Sequence, residues 1–210
     1  MGAKKERKLT DAEVRRLEAF SATCDALVSQ GYKRIGLEVG ILFANVVAIV
    51  AAVVLFLVSI PLFAMAHPET DIILSSVGFI IVIIAFLVLI VVHELIHGIT
   101  WSFFAPNGFK NIEFGIMRDS FTPYCTCNAP LRKGAYVIGA LMPLIILGIA
   151  PLAIAFIVGN VPLLFIGILM TVAAAGDVLI VLKVLRHKAV SDDTLLFDHP
   201  TEAGSVIFER

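Results

Sequence analysis

Val91-Val92-His93-Glu94-Leu95-Ile96-His97-Gly98 closes an almost wholly apolar run that begins at Ile72, and its reading decides the fold. The run is long enough to cross a bilayer, which takes about 20 apolar residues. Two histidines stand in it four residues apart, with a glutamate beside the first: the pattern H-E-x-x-H. On an α-helix, residues at that spacing lie nearly one above the other, so His93 and His97 present two imidazoles to one point. Neutral imidazoles suit Zn²⁺, and Glu94 is next to that point without being forced to ligate, as a general base for water should be. Ionisable side chains are costly inside a membrane and mark function there. The competing reading is a polar cluster that only packs one helix against its neighbours. Two imidazoles and a carboxylate in one turn weigh against it.

The rest of the chain fits a membrane setting. Of its 210 residues, 59% are hydrophobic and 16% charged, a composition of integral membrane proteins rather than soluble ones. The net charge of -1, with no dominant basic face, excludes a nucleic-acid footprint. Three cysteines, Cys24, Cys125 and Cys127, do not make a disulfide framework. No apolar core follows the basic start Met1 to Lys8 until about Val39, so a cleaved signal peptide is not expected. Glu6 stands where a myristoylation signal needs Ser or Thr, so no lipid anchor is expected either.

Four spans are expected, at residues 39–66, 72–105, 134–158 and 161–185. Pro143 and Pro151 should kink the third. Val158-Gly159-Asn160-Val161-Pro162 reads as a very short turn that makes the last two an antiparallel hairpin. Lys and Arg gather in the N-terminal arm, after the second span and after the fourth; the connections at 66–71 and 159–160 carry none. This places both termini in the cytoplasm and the chain in the cell membrane as a multi-pass protein.

The expected architecture is therefore an all-α, four-helix transmembrane bundle with an N-terminal amphipathic helix and a small cytoplasmic β element. Residues 1–38 form the arm. Thr10-Asp11-Ala12-Glu13 is a capping box, and Val14, Leu17, Cys24, Leu27 and Val28 recur at helical spacing. Residues 39–188 form the membrane domain, with a hairpin insert at about 108–130. There, runs 111–117 and 121–127 flank the turn Arg118-Asp119-Ser120. Residues 189–210 form a β-prone tail, with runs 194–197 and 205–208, and the two β-prone segments could pair into one small sheet. His67, His187 and His199 fall at segment edges or in a turn and need no special role.

A catalytic zinc takes three protein ligands and keeps one position open. The third candidate is Asp177, the only acid between Asp119 and Asp192. Counted from the cytoplasmic ends of their spans, His93 and His97 lie roughly 10–18 Å deep and Asp177 roughly 12–15 Å deep. Zinc would supply the counter-charge that a lone membrane carboxylate needs. The small residues Ala173, Ala174, Ala175 and Gly176 would let two helix backbones approach closely. The alternative is that Asp177 bonds a hydroxyl or an imidazole behind the ligands. Cys125 and Cys127 are rival ligands, with reduced packing residues as the plainer reading. Asn128 is a candidate oxyanion or substrate contact, set against a plain turn role before Pro130.

H-E-x-x-H in one membrane helix with a downstream membrane Asp resembles the intramembrane zinc peptidases of the site-2 protease type, although their Asp-Gly pair is here reversed as Gly176-Asp177. The four-span layout resembles more closely a family of small bacterial membrane proteins described as zincin peptidases. So do His93-Glu94-x-x-His97-Gly98, Cys127-Asn128-x-Pro130-Leu131, Gly176-Asp177 and Asp198-His199-Pro200. The resemblance implies a metalloprotease. The function expected is that of a zinc-dependent intramembrane endopeptidase. Its Zn²⁺ is held by His93, His97 and Asp177, Glu94 is its base, and its partners are the lipid bilayer and a membrane-protein or peptide substrate, cleaved in a membrane-spanning segment or at its cytoplasmic edge. The alternatives are a non-catalytic scaffold or regulator stabilised by zinc and, more weakly, a transporter.

Overall fold

The structure is a computed structural model, and it describes residues 11–38, 40–117, 122–188, 193–198 and 204–210. The basic start of the chain, Thr10 of the capping box, the turn Arg118-Asp119-Ser120 and His199 in the tail turn lie outside these residues. The chain is mostly helical. Among the described residues, three helices are long and apolar enough to cross a membrane: Leu42–Ala66 within α2 (Ile41–Ala66), α3 (Ser76–Ser102), and Lys133–Val158. A bent pair, Val161–Ala173 and Ala175–Arg186, makes a fourth if it counts as one span.

The helix α3 starts where Ser75 caps it, the hydroxyl accepting from the Gly78 N–H at 3.1 Å. Its outward face is apolar, with Leu87, Val88, Val91, Leu95 and Ile99 exposed, while its buried positions include His93 and His97. That inverts a soluble helix, whose apolar stripe points inward. The third apolar segment divides into α4 (Lys133–Pro143), a π-helical turn (Leu144–Ile149) and α5 (Ala150–Val158). Pro143 and Pro151 flank that turn. Pro151 cannot donate to the carbonyl four residues earlier, and its ring crowds that carbonyl. Gly159, at φ +68°, ends α5, and the Asn160 side chain caps α6 (Val161–Ala173) by accepting from the Leu163 N–H at 2.9 Å. The expected short turn is thus where the helix reverses.

Between α6 and α7 (Ala175–Arg186) the axis bends by 46°. The break falls in the run of small residues before Asp177, which the sequence reading gave to close helix packing. Ala174 and Ala175 are buried, but a Cβ at Gly176 would meet nothing within 4 Å. Gly176 is therefore not a close-approach position. Of the residues in this run, only glycine weakens a helix, through its backbone entropy, and Gly176 stands two residues past the break at Ala174.

The β structure is larger than the small element expected. Strands β2 (Ile112–Met117) and β3 (Thr122–Cys127) form a separate antiparallel hairpin. The tail strands β5 (Leu195–Asp198) and β6 (Gly204–Glu209) pair with each other, but not with that hairpin. They join β1 (Lys33–Glu38) and the two-residue β4 (Leu131–Arg132) in a four-stranded sheet of order β1-β6-β5-β4. β1 escapes a sequence reading because only Ile35 and Leu37 mark its inward face, and its partner β6 lies at the other end of the chain. The sheet also fixes helix α1 (Asp11–Ser29). Leu17, Phe20, Cys24 and Leu27 pack with Phe197, Val206 and Phe208, while Val14 and Val28 of the expected stripe stay exposed.

Candidate metal centre

Helix α3 aims His93 and His97 inward, and Asp177 meets them from the first turn of α7, just past the break. The two Nε2 atoms are 3.1 Å apart. Asp177 Oδ2 lies 3.1 Å from His93 Nε2, and its Oδ1 lies 3.5 Å from His97 Nε2. Each of the three residues offers one ligand atom within 4.8 Å of the others. The imidazoles are buried at 9% and 4% side-chain exposure, while Asp177 keeps 24%, so one side of the cluster stays accessible.

The donor set suits a cation. His97 Nδ1 is 2.9 Å from the carbonyl of Gly139, which can only accept, so Nδ1 carries the proton and Nε2 turns a lone pair to the cluster. A second imidazole nitrogen and a carboxylate converge on the same point, and a divalent ion is what such a set binds. His93 Nδ1 is buried without a hydrogen-bond partner among the described residues.

Several neighbours that the sequence reading missed hold this geometry. Trp101 stacks on His97, with ring centroids 5.0 Å apart and planes at 14°. Its Nε1–H donates to the Tyr136 carbonyl at 3.2 Å. A Cβ at Gly139 would collide with the indole, so only glycine lets Trp101 lie there. Likewise a Cβ at Gly98 would collide with Phe114 and Ile112, so Gly98 lets the β2–β3 hairpin sit against α3. One signal was available: His93, His97 and Trp101 share a helical face at steps of four. Tyr136 and Gly139 gave none, and Asp198 stood out only through the resemblance that Asp198-His199-Pro200 carries.

Glu94 lies beside the cluster, and the Cys125 backbone N–H faces its carboxylate. Strand β3 therefore reaches Glu94 through its backbone. Its thiols are buried, and neither Cys125 nor Cys127 belongs to the converging cluster. Burial, reinforced by the Glu94 charge, pushes the Cys125 thiol far up, and burial lifts Cys127 to about 11, so both are thiols at neutral pH. Asn128 is exposed, and its side-chain amide donates to Glu113 at 2.9 Å. Glu113 in turn pairs with Arg16 of α1 at 3.3 Å. Asp198 on β5 accepts from Tyr136 Oη at 2.8 Å and from the Cys127 N–H at 3.3 Å. Loss of water around it lifts its carboxyl to about 6, against the pull of those two bonds.

The chain matches no curated protein and no solved structure. Residues 86–191, just over half of the 210, match a family described as "putative zincin peptidase". That segment contains His93, Glu94, His97 and Asp177 and stops before β5 and β6. The chain belongs to this family of "putative zincin peptidase" proteins.

Proposed function

We propose that this protein is a zinc-dependent intramembrane endopeptidase that hydrolyses peptide bonds of membrane-protein segments at or near the cytoplasmic edge of the bilayer. The observation that carries the reading is the convergence of His93 and His97, beside Glu94 on a helix long and apolar enough to span a membrane, with Asp177 from a bent helix pair that is so only when taken together. In this reading the bent pair α6–α7 is the fourth span of a four-helix bundle. The distribution of Lys and Arg puts both termini, the sheet and the hairpin in the cytoplasm.

His93, His97 and Asp177 would hold the ion. Bound there, zinc supplies Lewis-acid polarisation of a carbonyl and makes water a nucleophile near neutral pH. Glu94 takes the proton from the attacking water and passes it to the leaving amine. The Cys125 N–H, which faces that carboxylate, would orient it for the role. The hairpin is the element suited to hold an unwound substrate segment extended, by strand addition. Asn128, engaged with Glu113, would reach substrate only by leaving that bond. The partly exposed side of the cluster supports a catalytic site over a scaffold, since a structural zinc fills all four positions with protein.

Metal content of the detergent-solubilised full chain is the test. About one zinc per chain in the wild type, lost or much weakened in Asp177→Ala, supports the three-ligand site. Zinc retained in Asp177→Ala would overturn that ligand set and favour the scaffold. A wild type that takes up no zinc, even after reconstitution, would overturn the peptidase reading.

A further inference from the structure

We infer that Asp198, on the tail strand β5 and outside the segment that matches the family, is a positioning residue that sets the distance between the supports of His97 and of Glu94. The inference rests on the metal-centre reading above, and its geometry stands independently of any ion.

One oxygen of Asp198 accepts from Tyr136 Oη and the other from the Cys127 N–H. Those donors belong to different elements, α4 and β3, and each element leads to one side of the site. Along α4, the ring of Tyr136 stacks on Trp101 at 5.6 Å, and its carbonyl accepts the indole N–H. Trp101 in turn stacks on His97. Three residues further along α4, the Gly139 carbonyl fixes the His97 tautomer. The position of α4 thus sets both the plane of the His97 ring and which nitrogen faces the cluster. Along β3, which packs on α3, the Cys125 N–H two residues before Cys127 faces the Glu94 carboxylate. Asp198 bonds both elements at once.

A carboxylate suits this task because it only accepts, and its two oxygens can take two donors from opposite directions. Tyr136 and Cys127 are 3% and 2% exposed, so water does not readily replace Asp198 there. Support behind a ligand or base is commonly felt at the metal, where loss of such a partner weakens binding about 10–100-fold. What is particular here is that the support comes from the far end of the chain, through a sheet that also includes β1 from before the first apolar helix.

The chain carries its own reporter. Trp101 is its single tryptophan, and it lies between His97 and Tyr136. The experiment titrates zinc into the full-length protein in detergent and follows Trp101 emission and acrylamide quenching, before and after metal. It compares wild type, Tyr136→Phe, Asp198→Ala and Asp198→Asn. Tyr136→Phe removes one hydroxyl and keeps the stacked ring, so it remains informative if Asp198→Ala does not fold. The expected result is a zinc affinity lowered about 10-fold or more in Tyr136→Phe and Asp198→Ala, with shifted Trp101 emission already in the metal-free proteins. Asp198→Asn should stay near wild type, because its amide can accept from Cys127 and donate to the Tyr136 oxygen. Tyr136→Phe with wild-type affinity and wild-type emission would overturn the inference and leave Asp198 a staple of the tail sheet. A wild type that binds no zinc would sink the metal-centre reading alone. The metal-free emission then decides on Asp198: a shift in Tyr136→Phe supports its role, and no shift overturns it.

Discussion

Helix α3 runs unbroken through 27 residues and delivers His93 and His97, whereas its partner breaks at Ala174 and delivers Asp177 from the first turn beyond the break. The unbroken helix needs no tertiary help to set its two imidazoles at one point, because the helical period does so. The broken one supplies an approach from another direction, which depends on a 46° bend. Their glycines differ in the same sense. Gly98 is pressed by Phe114 and Ile112 of the hairpin, while Gly176 faces open space. The rigid helix is packed from outside along its functional turn, and the yielding one is left room beside its carboxylate.

This contrast can be broken or sharpened by experiment. The largest effect is expected from Glu94→Gln, which keeps the shape of the side chain and removes the base. Cleavage of a peptide library should fall by at least about 100-fold while zinc content stays that of the wild type. Near-normal cleavage by that variant would remove Glu94 from its assigned role and leave α3 only a ligand-bearing helix.

Gly98→Ala comes next. Its methyl group must displace Phe114 and Ile112, and overpacking of this kind costs about 1–3 kcal/mol. A lowered unfolding midpoint, with cleavage reduced more than zinc binding, would fit a hairpin pushed away from Glu94. An unchanged midpoint would mean that the hairpin gives way freely and does not clamp α3.

A pH effect of intermediate size should come from the tail, whose Asp198 bonds both α4 and β3. The Asp198 carboxyl is raised to about 6, above its ordinary value, so its ionisation is disfavoured in the folded protein. Its contribution to stability is therefore fully present below the ordinary carboxylate range and is lost as pH rises through about 6. Wild type should lose stability relative to Asp198→Asn between about pH 4 and pH 6 in thermal unfolding. Parallel pH profiles for the two proteins would contradict this.

The smallest effect belongs to Gly176→Ala, whose added methyl meets no neighbour. Helix propensity should make it neutral or stabilising by about 0.5–1 kcal/mol, with zinc binding retained. A clear loss of zinc in that variant would mean that the bend depends on the glycine itself. The contrast between the two helices would then rest on one residue.

By itself the sequence determined what local periodicity and composition can carry. His93, Glu94 and His97 are four-residue geometry on one helix, and the apolar segments announce themselves by length. The hairpin strands and the tail strands were legible as β-prone runs around turn residues. Asp177 was legible by exclusion, as the one acid in a long apolar stretch. Only the tertiary structure decided which strands share a sheet, because β1 and β4 are too short or too mixed to exist without partners far along the chain. It also decided that the helix breaks before Asp177, that Gly139 and Trp101 orient His97, and that Asp198 spans α4 and β3. Those contacts join residues from distant parts of the chain, and no periodicity encodes them. They arise when apolar helices pack and buried donors must find acceptors.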